Sequence, residues 1–144
     1  LKSTRGLVGT ECMPRKKALR TLLSQQNSQP PKATIFLADQ SPYEMEKASW
    51  HNFLNLQTPF FNGYASISKK LNLPIVYLHI FKTEKGSYKL QFHDLISDPS
   101  IVSTEEIVRS FAKKLESGIR EQPYNWLWTH KRWKRMHLKP TAHV

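Results

Sequence analysis

The chain has 144 residues, 39% apolar and 23% charged, with a formal net charge of +11. That length and apolar content fit one domain with a buried core and exclude wholesale disorder, while the charge favours anionic partners without saying which kind. A single cysteine, Cys12, excludes an internal disulfide framework and a cysteine-based zinc site, and leaves a reducing, cytosol-facing location open.

Residues 14–26 read as a helix, because Pro14 suits a first helical position and Ala18, Leu19, Leu22 and Leu23 recur at helical spacing. The polar stretch 24–32, with Pro30 and Pro31, reads as a loop. Residues 33–38 (ATIFLA) form a continuous apolar run, expected of a strand buried on both faces, and Asp39, Gln40, Ser41 and Pro42 make a turn after it. From 43 to 61 no regular element is legible, although Tyr43, Trp50, Phe53, Phe60 and Phe61 fall there. Such long irregular segments are usually functional or covered by other elements. Tyr64, Ile67 and Leu71 mark a helix over 63–72, broken by Pro74. Residues 75–81 read as a second buried strand, 84–86 as a tight turn, and Tyr88, Leu90 and Phe92 alternate with Lys89 and Gln91 as a half-exposed antiparallel strand. Ser103 with Glu106 forms a capping box before a helix whose inner face carries Ile107, Val108, Phe111, Leu115 and Ile119, with Pro123 just past its end. This order predicts an α/β domain spanning 1–144: a mostly parallel sheet with a right-handed crossover, flanking helices and a C-terminal antiparallel hairpin. The longest apolar run, 73–81, falls far short of the roughly 20 residues that span a bilayer, and no signal peptide is visible.

Candidate chemistry is sparse. Five glycines form neither a phosphate-cradling loop nor a nucleophile elbow. His51, His79, His93, His130, His137 and His143 lack the i, i+4 pairing of a zinc protease, and no cofactor is expected. His79 and Glu84 have a histidine-x4-acid spacing, but the histidine falls mid-strand and the acid in the next turn, so a helical turn cannot swing one onto the other. Asp39 and Gln40 are better placed, since ligands in open α/β sheets collect beyond the carboxyl ends of strands; a turn-forming Asp is the bland alternative. The block 58–63 (TPFFNG) leads into a helix, so Phe60 and Phe61 either face a ligand or fill the core. The run 122–134 holds Trp126, Trp128 and Trp133 among His130, Lys131, Arg132 and Lys134, with Arg135 and Lys139 following. Lysines and arginines alone would read as a solvated face, whereas interleaved indoles suit a membrane interface.

Several blocks taken in order resemble the lipid A biosynthesis acyltransferases, the late acyltransferases of Gram-negative outer-membrane assembly. They are Arg5 with Gly9, 36–42 (FLADQSP), 58–63 (TPFFNG), 74–77 (PIVY) and 123–134 (PYNWLWTHKRWK). The last is similar to the family's Pro-x-x-x-Leu-Trp-x-His-x-Arg-aromatic-Lys ending, and the wording is most similar to versions from Bacteroidetes-type bacteria. The resemblance covers nearly the whole chain. It implies a glycerophospholipid-acyltransferase-like fold, anchored at the cytoplasmic face of the bacterial inner membrane. It implies transfer of a fatty acyl chain from acyl-carrier protein to a hydroxyl of a lipid A precursor or related anionic lipid. The family's histidine-acid motif and membrane helix lie upstream of the Arg5–Gly9 block and do not occur here, so the chain reads as the C-terminal half of such an enzyme, inactive alone. On the matched blocks, Arg5 is the leading phosphate or oxyanion contact, Asp39 and Gln40 shape the acceptor side, Phe60 and Phe61 form an apolar slot, and Arg132 is an anionic contact.

Two other readings remain open. A +11 domain could bind nucleic acid, although no helix-turn-helix or RNA-recognition motif is visible, or an anionic membrane, without catalysing anything. It could also be an inactive relative that binds carrier protein as a scaffold.

Overall fold

The computed structural model describes residues 10–138. One unit ends at Ile35 and a second begins at Phe36. In the first, Pro14 leads a 3-10 turn, Arg15–Lys17, into helix α1, Ala18–Gln25, matching the expected helix to within a residue or so at its end. The Lys17 amide donates to the Pro14 carbonyl at 2.9 Å, a turn bond at the point where a helix's first amides lack partners.

The second unit overturns the expected mostly parallel sheet. It contains two separate two-stranded antiparallel sheets and, among the described residues, no parallel pairing. Residues 33–38 join neither sheet, and Ile35 and Leu37 are 74% and 60% exposed. An apolar run becomes a strand only if a neighbour takes its backbone hydrogen bonds. The neighbour assumed from the sequence, 75–81, spends its ladder on the strand that follows it.

The first sheet lies where no element was legible. Strand β1, Ser49–Phe53, pairs with β2, Leu56–Phe60, in register from Ser49 opposite Phe60 to Phe53 opposite Leu56. The two-residue turn places Leu54 at φ 50° and Asn55 at φ 64°, the doubly left-handed geometry of a type I′ hairpin turn. Asparagine tolerates that region, whereas leucine is strained in it. The turn is held from outside by Glu116, whose Oε2 accepts the Leu54 amide at 3.0 Å. That bond is the leading cause that lowers the Glu116 pKa.

Helix α2, Gly63–Leu71, closes on Asn72 in the left-handed region at φ 50°, with the Leu73 amide donating to the Ser68 carbonyl at 3.0 Å. Strands β3, Ile75–Glu84, and β4, Ser87–Ile96, form a longer hairpin about a turn in which Gly86 takes φ 82°. Its inner side carries buried Tyr77, while its outer side shows Val76, Ile80, Tyr88, Leu90 and Phe92 to solvent. Helix α3, Thr104–Glu121, begins at the capping box read from the sequence: the Ser103 hydroxyl accepts the Glu106 amide at 3.2 Å, and Glu106 accepts the Ser103 amide at 3.0 Å.

One core joins these parts. Ile107, Val108, Ala112, Leu115 and Ile119 of α3 meet Phe53 and Phe60 of the first hairpin, Tyr64 and Ala65 of α2, Tyr77 of β3, and Ala38. Its rings prefer edge contacts, Phe53 on Phe60 at 5.2 Å and Tyr64 on Phe111 at 5.7 Å, as ring quadrupoles favour.

Candidate functional site

After α3 the chain folds back across its own core in short 3-10 turns, Pro123–Asn125 and Trp128–His130. Tryptophan supplies the driving force: Trp126 and Trp133 lay their rings 6.5 and 6.3 Å from Phe53, burying indole surface that water disfavours. Trp128, 49% exposed, is the outward member, and its Nε1 donates to the Pro123 carbonyl at 2.7 Å. The turn is also stitched to the edge of β3, where Asn125 donates to the Ile80 carbonyl at 2.6 Å and Gln122 exchanges hydrogen bonds with the Lys82 backbone.

Beyond Lys131, which takes the left-handed region at φ 54°, the basic residues separate by direction. Lys131 and Lys134 point to solvent, while Arg132 is 2% exposed. Its Nη2 donates to the Pro59 carbonyl at 2.5 Å and its guanidinium lies 4.7 Å from the Phe60 ring centre, a cation over an aromatic face. Next to it, Trp133 Nε1 donates to the Thr58 hydroxyl at 2.8 Å. Arg135 donates to the Pro42 carbonyl and stacks 5.2 Å over the Tyr43 ring. The Ser41 amide donates to His130 Nε2 at 3.1 Å, so that nitrogen carries the lone pair. The C-terminal block is therefore clamped at once to β2 and to the 39–43 turn.

These bonds assemble the site. Arg132 and Phe60 come together, while the half-buried Asp39 carboxylate acts only at longer range, electrostatically, on the Arg132 guanidinium and the Tyr77 phenol. Burial pulls the Arg132 pKa down to about 10, against the pull of Asp39, and leaves it charged at neutral pH. Burial first, then Asp39, pushes the Tyr77 phenol up to about 12. Arg132 Nε and Nη1 are buried without a hydrogen-bond partner, and so are the hydroxyls of Ser41 and Tyr64. Gln40 stands exposed beside Asp39. Phe60 is fully buried in the core, and Phe61, half-buried, packs against it 6.3 Å from Tyr64. A side chain at position 63 would collide with the Phe61 ring, which explains Gly63 at the start of α2. Arg5 and Lys139 lie outside the described residues.

The histidine-acid pair does not assemble. His79 and Glu84 are five residues apart on one strand, about 17 Å at the usual rise. His79 instead fills the space over Gly118 of α3, where an added Cβ would fall 2.7 Å from its ring, and lies 3.8 Å from the Phe81 ring centre.

Sequence reasoning missed Tyr77, His130 and Arg135 as members of this cluster. A phenylalanine-like position in an apolar strand carries no sign of a neighbouring carboxylate. Basic residues in a charge run carry no sign of which ones turn inward.

The family model for bacterial lipid A biosynthesis acyltransferases matches residues 1–135. The chain belongs to that family. A comparison with curated proteins returns no match. The match runs through the 39–43 turn, both hairpins and the clamped block, so in this lipid A acyltransferase family member the cluster around Arg132 falls within the family region. Among the described residues no helix is long and apolar enough to cross a membrane, and no group of three or more His, Cys, Asp or Glu is placed to hold a metal ion.

Proposed function

We propose that this chain serves the transfer of a fatty acyl chain from acyl-carrier protein to a hydroxyl of a lipid A precursor or a related anionic lipid. The observation that carries this reading is the family match over residues 1–135. In the reaction, a histidine oriented by an acid five residues on, in sequence upstream of Leu1, takes the proton of the acceptor hydroxyl. The oxygen attacks the thioester carbonyl, and the carrier thiol leaves with a proton. None of these atoms belongs to the described residues. The chain's own part is on the acceptor side, where exposed Gln40 stands on a turn fixed from two directions. Phe60 and Phe61 shape the apolar wall behind it, and Arg132 acts from beneath as fixed positive charge. Arg5 would contribute a phosphate contact.

Work at the cytoplasmic face of the inner membrane fits the chemistry, because the donor protein is acidic and the acceptor carries phosphates. A net charge of +11 with exposed Lys131 and Lys134 attracts both. The test is an acyl-transfer assay on the protein translated from its whole reading frame, with labelled acyl-carrier protein and a lipid A precursor. Labelled product that falls at least tenfold when Gln40 becomes Ala, with the fold intact, supports the reading. Absence of product, together with tight salt-sensitive binding to nucleic acid or anionic vesicles, replaces it with a non-catalytic binding module.

A further inference from the structure

The β3–β4 hairpin has one face for the core and one for something else. Strand register sets Leu78 opposite Phe92 and Ile80 opposite Leu90, so these four side chains stand together on the outer face. Ile80, Leu90 and Phe92 are exposed there, and so are Val76 and Tyr88 at the two ends. The face is held in place, because Asn125 and Gln122 bind the β3 backbone at Ile80 and Lys82. A contiguous apolar face on a fixed sheet marks a contact surface. The charges at its ends say what kind of partner fits. One end is the Val76–Asp94 pair and the other the Lys82–Tyr88 pair, about 20 Å apart along the strands. Asp94 and Lys82 are both exposed, and neither side chain has an ion-pair partner among the described residues. Beyond Lys82 the strand end and turn add one acid and one base, Glu84 and Lys85, which offset each other. A face made for an anionic bilayer would be basic at both ends, whereas this one carries a carboxylate at one of them. Opposite charges at opposite ends make a face complementary to itself, provided that the second copy lies with its strands reversed.

We propose that this outer face is a homodimer interface, in which the hairpins of two copies pack face to face with strands reversed and Lys82 of each copy meets Asp94 of the other. Packed sheets lie about 10 Å apart with their strands roughly aligned. The Leu78–Phe92 row of one copy then covers the Ile80–Leu90 row of the other, and an ion pair closes each end. With like ends together, Asp94 would instead face Asp94 and Lys82 face Lys82, so charge selects the reversed arrangement. Six apolar side chains from each copy make an interface at the small end of the stable range, so the dimer forms at micromolar concentration rather than below it. The interface stands apart from the acyl-transfer reading and does not rest on it.

Sedimentation velocity tests this on the protein from its whole reading frame, from low to high micromolar concentration. The sedimentation coefficient should climb from that of a monomer to that of a dimer. Phe92→Asp buries an unpaired charge in the contact and should weaken the dimer by roughly thirtyfold or more. Asp94→Lys sets lysine against lysine and should weaken it several-fold, and adding Lys82→Asp should restore it to within about threefold. These positions are exposed in the single chain, so the variants should keep the fold, and urea midpoints check that they do. Apolar dye bound per chain should fall as concentration rises, because the dimer covers the face that a dilute monomer leaves open. A protein that stays monomeric throughout overturns the proposal, and so does a dimer indifferent to Phe92→Asp. A charge swap no tighter than Asp94→Lys alone overturns the reversed arrangement and the proposal with it. Binding to anionic vesicles that Phe92→Asp abolishes, without self-association, would assign the face to a lipid surface instead.

Discussion

At the scale of single residues, direction rather than type decides what a side chain does here. Arg132 and Lys131 are neighbours in a basic run, yet one is sealed beneath the chain and the other is solvated. His79 belongs to a spacing that looks catalytic and is spent on packing over Gly118. That close approach predicts the behaviour of Gly118→Ala. An alanine gains up to about 1 kcal/mol of helix propensity, but its Cβ has to displace the imidazole, and overpacking costs about 1–3 kcal/mol. The net effect is a loss of stability, measurable in urea. Gly118→Ala combined with His79→Ala should recover it; if the double variant were less stable than the sum of the single losses, the packing account would be wrong.

At the scale of elements, docking between pieces far apart in the chain is carried by a few polar contacts over apolar ones. The C-terminal block meets β2 through Trp133 and Thr58, and Thr58 also donates to the Leu56 carbonyl at 2.9 Å. Thr58→Val keeps the volume and strands the indole N–H. It should cost about 1–3 kcal/mol, and hydrogen exchange should show the loss as faster opening of the Trp133 indole. Unchanged stability would mean that the indole finds another partner. The elements that were legible beforehand are those written locally. The Ser103–Glu106 box, the α3 stripe and the Gly86 turn each need only neighbours within a few residues. The β1–β2 hairpin was not legible, because its type I′ turn carries Leu54 where Asn-Gly would announce it, and Glu116, far along the chain, supplies what the local sequence lacks.

For the whole molecule, two properties follow. His51, nearly sealed in β1, and His79 both have pKa values lowered chiefly by burial. Glu105 stands 3.2 Å from His51 Nε2 without forming a hydrogen bond to it, and raises that pKa only in part. In the unfolded chain both titrate near 6.5. Below that pH the unfolded chain takes up protons that the folded one refuses, so stability is full above about 6.5 and falls as pH drops through it toward the lowered values. Urea midpoints from pH 8 to 5 should show this decline, and a His51→Gln, His79→Gln variant should flatten it. The second property is the outer face of the β3–β4 hairpin, where Leu90 is 55% and Phe92 70% exposed. Such a face should bind an apolar fluorescent dye in the native state, and Leu90→Ser with Phe92→Ser should remove roughly half of the signal or more. An unchanged signal would place the dye elsewhere.

The amino-acid sequence by itself determined the helices, the Ser103–Glu106 cap, the Gly86 turn and the family. All of these rest on residues close together or on ordered blocks. It named Phe60 and Arg132 without showing that they meet. Only the tertiary structure decided strand pairing, and it decided against a parallel sheet. An apolar run records a need for burial, not which backbone will take its hydrogen bonds. The 33–38 run and β3 are similarly apolar, but only β3 has a neighbour, β4, joined to it by a two-residue turn. The fate of the charges was likewise a tertiary matter, because burial and a counter-charge are properties of a place in the fold and not of a residue type.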